Sequence, residues 1–123
     1  MEIMGEYTRG EDRMQMCYAF EFLSAEAPTG ARVARVLGRF AEGAADGWAC
    51  WAFSNHDVER HVTRWGLNDA QLRLYLALLL SLRGSVCLYQ GEELGLGEAY
   101  VAFEDLRDPY GKRFWPKFRG RDG

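Results

Sequence analysis

The amino-acid sequence predicts an α/β fold in which parallel strands alternate with crossover helices. Two observations carry that expectation. Three short apolar or aromatic runs, at 14–23, 48–53 and 85–89, are separated by two stretches with apolar residues at helical spacing. The second run stops abruptly at Ser54-Asn55-His56-Asp57, the kind of polar turn that follows the C-terminal end of a buried parallel strand. Strand, helix, strand, helix, strand is a succession of βα units, whose crossovers favour parallel, right-handed pairing. Periodicity alone leaves a barrel segment and a doubly wound sheet both open.

Each element has its own signal. Met14 to Leu23 reads as the first strand, with Met16, Tyr18, Phe20 and Phe22 on alternate positions. Pro28-Thr29-Gly30 then opens a helix, and Val33, Val36, Leu37 and Phe40 fall along one face of it. Gly43 and Asp46-Gly47 break that helix, and Trp48 to Phe53 follows as the second strand. Asn68 suits the cap of a second helix through Leu82, with Leu72, Tyr75, Leu76 and Leu79 as its inner stripe. Arg83-Gly84 closes it with a basic residue and a glycine stop. Ser85 to Tyr89 is the third strand, ending at Gln90-Gly91-Glu92-Glu93. Beyond residue 97 the turn-forming composition predicts a long loop region.

Composition excludes several classes. Hydrophobic residues make up 48% of the chain, enough for a core, and 27% are charged, which argues against disorder. A net charge of −3 gives no reason to expect nucleic acid or an anionic membrane as partner. No apolar run reaches membrane-spanning length, and the start lacks a signal-peptide pattern. Cys17, Cys50 and Cys87 each fall in a predicted strand, and their odd count suggests buried free thiols in a reducing, cytoplasmic setting.

At the second strand's end an amide, an imidazole and an acid arrive together, where α/β folds place ligands and catalytic side chains. The competing reading is an Asx turn made by Asn55 and Asp57, with His56 incidental. The surrounding sequence weighs between them. SNHDVERH, followed by LYQGEELGL at 88–96 and FEDLRDPYGKRFWPKFRGRDG at 103–123, closely resembles the α-glucosidase branch of the α-amylase family, as in oligo-1,6-glucosidases and maltases. The likeness runs in order from the EYTRGEDRMQMCYAFEFL stretch onward. The resemblance implies a (β/α)8 TIM barrel that cleaves α-glucosidic bonds with retention. It assigns this chain to about strands 6 to 8 and the loop after the eighth. A complete barrel takes about 250 residues. This chain has 123, so residues 1–123 read as a partial catalytic barrel truncated at both ends.

Retaining glycosidases work with two carboxyl groups about 5 Å apart. In the family these lie on strands upstream of this chain. Asp57 matches a third carboxylate, whose implied role is to hold sugar hydroxyls and stabilise the oxocarbenium-like transition state. His56 would hydrogen-bond to the same sugar. Arg60 stands where the family also has arginine; it either pairs with a carboxylate near the site or braces the loop, and bracing is the favoured reading. Met4-Gly5-Glu6 looks like the apolar-Gly-Glu ending of the family's acid. Its interval to Asp57 is short, and Glu6 reads better as a solvated helix carboxylate.

Glu92 and Glu93 resemble a structural hydrogen-bonding element, His61 a surface or loop histidine, and Phe20 and Phe53 core or pocket wall. Arg121 and Asp122 belong to a GRDG element that leads to a sugar-contacting arginine in the family. Glu59, Ala49 and Arg107 depart from the branch's usual residues without touching the implied sugar contacts.

The chain is thus expected to be the C-terminal half of the catalytic barrel of a cytoplasmic α-glucosidase. It would act on α-linked glucose oligosaccharides or disaccharides, without cofactor or metal, and be inactive alone for want of nucleophile and general acid. Linkage preference, and hydrolysis against transglycosylation or isomerisation, stay open. The alternative is a non-catalytic, self-associating barrel-derived protein that binds sugar through His56 and Asp57. A metal-dependent phosphohydrolase would need several His and Asp ligands, and the chain has two histidines.

Overall fold

The structure, a computed structural model, describes residues 1–118. Three short strands, β1 (Cys17–Ala19), β2 (Ala49–Trp51) and β3 (Ser85–Val86), form a parallel sheet in the order β1-β2-β3. Cys17 to Ala19 pairs with Ala49 to Trp51, and Cys50 and Trp51 pair with Ser85 and Val86. Helix α1 (Glu2–Thr8) precedes β1, and α2 (Gly30–Gly43) joins β1 to β2. The short α3 (His61–Arg64) and the longer α4 (Asp69–Ser81) join β2 to β3. The predicted βα succession and parallel pairing are therefore present; three strands are compatible with a barrel segment.

One face of the sheet is covered by helices. Val33, Val36 and Phe40 of α2 and Leu79 of α4 close over Ala19, Ala49 and Trp51, with Phe22 and Phe53 wholly buried beside them. Phe22, Phe40, Trp51 and Phe53 meet at ring-centroid distances of 5.5 to 5.8 Å in tilted or edge-to-face contacts. Each such side chain contributes roughly 1.5–3 kcal/mol on removal from water. Trp51 also donates its indole N–H to the Arg83 carbonyl at 2.8 Å, so its polar edge is satisfied inside the core.

The helix ends follow local chemistry. Thr29 caps α2 by accepting from the Arg32 N–H at 3.2 Å. Asn68 and Gln71 form a reciprocal capping box on α4, both bonds 3.0 Å. Gly84 follows α4 with φ +138°, and a Cβ there would lie 2.6 Å from the Ala49 carbonyl oxygen. The strand next to it leaves no room for a side chain.

Four expectations need correction. The first strand is shorter than 14–23: after Ala19 the chain turns, the Leu23 N–H donating to the Phe20 carbonyl at 3.0 Å. That turn breaks the alternation, so Phe20 is exposed while Phe22 is fully buried. The third strand ends at Val86. The thiols are not uniformly buried: Cys50 is, Cys17 is half-buried, and Cys87, just past the end of β3, is exposed. The tail is not simply loop, because α5 (Pro109–Phe118) forms there, preceded by a 3₁₀ turn at Phe103–Asp105.

Candidate functional site

Beyond the C-terminal ends of the strands, Tyr18, Phe20, Asn55, His56, Asp57, Leu88 and Tyr89 line one cleft. The Asn55 side-chain oxygen accepts the Asp57 N–H at 2.9 Å, and Asn55 and Val58 form an antiparallel bridge across the turn. The Asx turn is therefore real, and it has a consequence beyond itself. It points the His56 and Asp57 side chains into the open, 81% and 69% exposed, with His56 Nε2 3.4 Å from Asp57 Oδ1. The turn and the presentation of an acid and an imidazole are one arrangement. Nearby, burial chiefly raises the Tyr18 hydroxyl above its ordinary pKa, with smaller contributions from Cys87, Cys50, Glu92 and Asp57.

Arg60 lies against the next segment. Its backbone N–H donates to Glu98 Oε2 at 2.9 Å, its guanidinium donates to the Gln90 carbonyl, and its Cζ stands 4.9 Å above the Tyr89 ring. Those contacts tie the loop after β2 to the loop after β3. Glu6 is exposed on α1, and Glu93 is exposed beside Glu92. Arg121 and Asp122 lie outside the described residues.

Behind the turn sits a polar cluster sealed from solvent. His61, Glu92 and Ser54 are 0%, 0% and 1% exposed. His61 Nδ1 stands 2.8 Å from Glu92 Oε1 and 3.2 Å from Ser54 Oγ, so Nδ1 carries the proton that the carboxylate accepts. The His61 backbone N–H donates to Ser54 Oγ at 2.9 Å, and the Tyr89 N–H donates to Glu92 Oε2 at 2.8 Å. Burial pushes the Glu92 carboxyl up. Hydrogen bonds from His61, Ser54 and Tyr89 outweigh that push and hold it below the usual carboxylate value. The ring of His61 packs on Phe53 and Trp65, and its Nε2 has no hydrogen-bond partner among the described residues.

His61 is thus not the surface or loop histidine expected from sequence. It sits on α3 as one member of an i, i+4 pair with Trp65, ring centroids 5.3 Å apart, which turns both rings inward. That spacing was the available signal. The structural hydrogen-bonding role expected of Glu92 is present. Among the described residues, no group of three His, Cys, Asp or Glu side chains is placed to hold a metal ion, and no helix is long and apolar enough to cross a membrane.

Residues 2–122 match the family model for the alpha amylase catalytic domain. The chain is 61% identical over 127 residues to a "Probable alpha-glucosidase" of Rhizobium meliloti (strain 1021), covering all of this chain and 23% of that protein. It is 32% identical over 129 residues to an "Oligo-1,6-glucosidase" of Heyndrickxia coagulans, covering 88% of this chain and 23% of the relative. A "Palatinase" of Erwinia rhapontici is 37% identical over 68 residues, half of this chain and 12% of the relative. The chain therefore spans less than a quarter of the length of these relatives.

Proposed function

Since the chain belongs to the alpha-amylase catalytic-domain family, we propose that it is part of the catalytic barrel of a retaining α-glucosidase, with Asp57 holding the sugar at the cleaved bond. Membership implies the (β/α)8 barrel; assignment of these strands to positions six to eight belongs to the proposal. The observation that carries the reading is the exposed Asp57 carboxylate at a parallel-strand end, its backbone fixed by Asn55 and His56 beside it.

The chemistry follows from that placement. As the glycosidic bond breaks, positive charge develops at the anomeric carbon and ring oxygen. A fixed carboxylate that accepts sugar hydroxyls there binds the distorted, charged sugar better than the resting one, and only that difference accelerates the reaction. His56, exposed beside Asp57, supplies a further polar contact to the same ring. Arg60 supports the site by bracing the loop.

Bond cleavage with retention needs a nucleophile and an acid about 5 Å apart. Glu92 cannot serve as either, being sealed from solvent with both oxygens engaged. The 123-residue chain alone is accordingly inactive. The substrates are α-linked glucose oligosaccharides or disaccharides, with linkage left open. Three unpaired cysteines, one of them exposed, support a cytoplasmic setting, which cell fractionation would check.

The test is turnover of p-nitrophenyl α-glucoside by the protein as its source produces it. Asp57→Asn should cost about 100-fold or more in kcat. Unchanged turnover in that variant would remove Asp57 from the mechanism, and Asp57-dependent turnover by the isolated chain would overturn its inactivity. A second reading, a self-associating sugar-binding protein, is favoured by the outer edges of β1 and β3, which pair with no strand among the described residues.

A further inference from the structure

We infer that His61 and Glu92 are positioning residues for Asp57: their buried pair locks the Asn55–Asp57 turn onto the segment that follows β3. What Asp57 does rests on the glucosidase reading; the lock itself does not.

Sealing a carboxylate from water is strongly unfavourable unless partners replace the lost hydration. Glu92 has those partners, and their origin is informative. The Ser54 hydroxyl comes from the residue just before Asn55, the His61 ring from just after Arg60, and the Tyr89 N–H from Glu92's own segment. Ser54 and His61 are also joined directly, the His61 N–H donating to Ser54 Oγ at 2.9 Å. Residues 55–60 therefore form a small loop closed at its base, and Glu92 grips both sides of that closure. Two outer ties reinforce it: the Arg60 N–H to Glu98, and the Glu98 N–H to Thr63 Oγ1 at 2.7 Å.

His61 and Glu92 do not line the cleft, whereas Ser54 and Tyr89, to which they are bonded, do; the buried pair therefore acts through the turn. A side chain misplaced by about 1 Å can lose on the order of 100-fold in rate. A lock at the base of the turn is the means by which the fold would hold Asp57 within that tolerance.

The test uses His61→Leu, His61→Asn and Glu92→Gln in the protein as its source produces it. Leucine fills the ring's place without an N–H, whereas asparagine offers a donor near the Nδ1 position. Hydrogen exchange read by mass spectrometry should accelerate by about tenfold in segments 54–60 and 89–95 of His61→Leu. Segments covering β2 and α4 should be unchanged, and His61→Asn should restore most of the protection. With p-nitrophenyl α-glucoside, kcat should fall between about 10- and 100-fold with KM nearly constant, again recovered by asparagine.

Unchanged exchange in 54–60 overturns the inference, as does equal acceleration throughout the chain, which marks general destabilisation. A loosened turn with unaltered kcat overturns the positioning role. If His61→Leu does not fold, Glu92→Gln decides, since it keeps the shape and weakens the charge-assisted bonds. Should Asp57→Asn itself leave turnover intact, the glucosidase reading fails while the exchange pattern still decides the lock.

Discussion

Asp57 and Glu92 are carboxylates in opposite circumstances: one meets solvent at the mouth of the cleft, the other is enclosed behind it. Glu92's circumstance has a measurable pH consequence. Burial raises its pKa, but hydrogen bonds from His61, Ser54 and Tyr89 bring it net below the ordinary 4.5, and the Arg64 guanidinium also attracts its charge. A carboxyl with a lowered folded-state pKa contributes stability fully above its unfolded value and loses it as pH falls through the folded value. The unfolding midpoint should therefore drop below about pH 4.5, and Glu92→Gln should flatten that acid limb; urea melts from pH 7 to pH 2.5 would show it. In the core, Trp51→Ala removes a fully buried ring with its own hydrogen bond and should cost about 3–5 kcal/mol by the same melts. At this scale the sequence was readable where local chemistry decides, as in the Asn55 turn. For His61 the spacing to Trp65 was the one local sign; its buried partner Glu92 lies 31 residues further on and leaves no trace in the neighbouring sequence.

Among the elements, those with strong periodicity matched expectation. Val33, Val36, Leu37 and Phe40 do line the inner face of α2, and Asn68 does cap α4. Asn68→Ala should cost about 1 kcal/mol in unfolding free energy, since it removes the side-chain oxygen that accepts the Gln71 N–H, while the residue-68 N–H can still donate to Gln71. Gly84→Ala should be far less tolerated than Gly38→Ala. A Cβ at Gly84 meets the β2 backbone in a left-handed conformation, whereas one at Gly38 meets nothing within 4 Å; thermal melts of the two variants give the comparison. The first strand was misjudged because alternation persists through Phe22 in sequence while the backbone turns at Phe20. Helix α5 was missed because its turn-forming residues outweighed other signs. Pro109 suits a first helical position, and Tyr110 and Phe114 stack one turn apart with centroids at 4.4 Å.

At the scale of the molecule, the parallel sheet is covered on one face, while β1 and β3 each pair on one side only among the described residues. Open edges invite further pairing. The purified 123-residue chain should therefore sediment as dimers or larger species, more so at higher concentration; a strictly monomeric, cooperatively folded chain would oppose that expectation. The α/β order was legible from alternating periodicities, whereas the choice of barrel came from the resemblance, because pairing beyond β1 and β3 leaves no local trace. The lock behind the turn also orders events during synthesis. A ribosome releases Asn55, His56 and Asp57 well before Glu92, so the nascent candidate site first exists as a loop whose clasp has not been made. Its final geometry is set by what is translated later, and a chain ending short of Glu92 would carry every cleft residue of that turn with nothing to hold it closed.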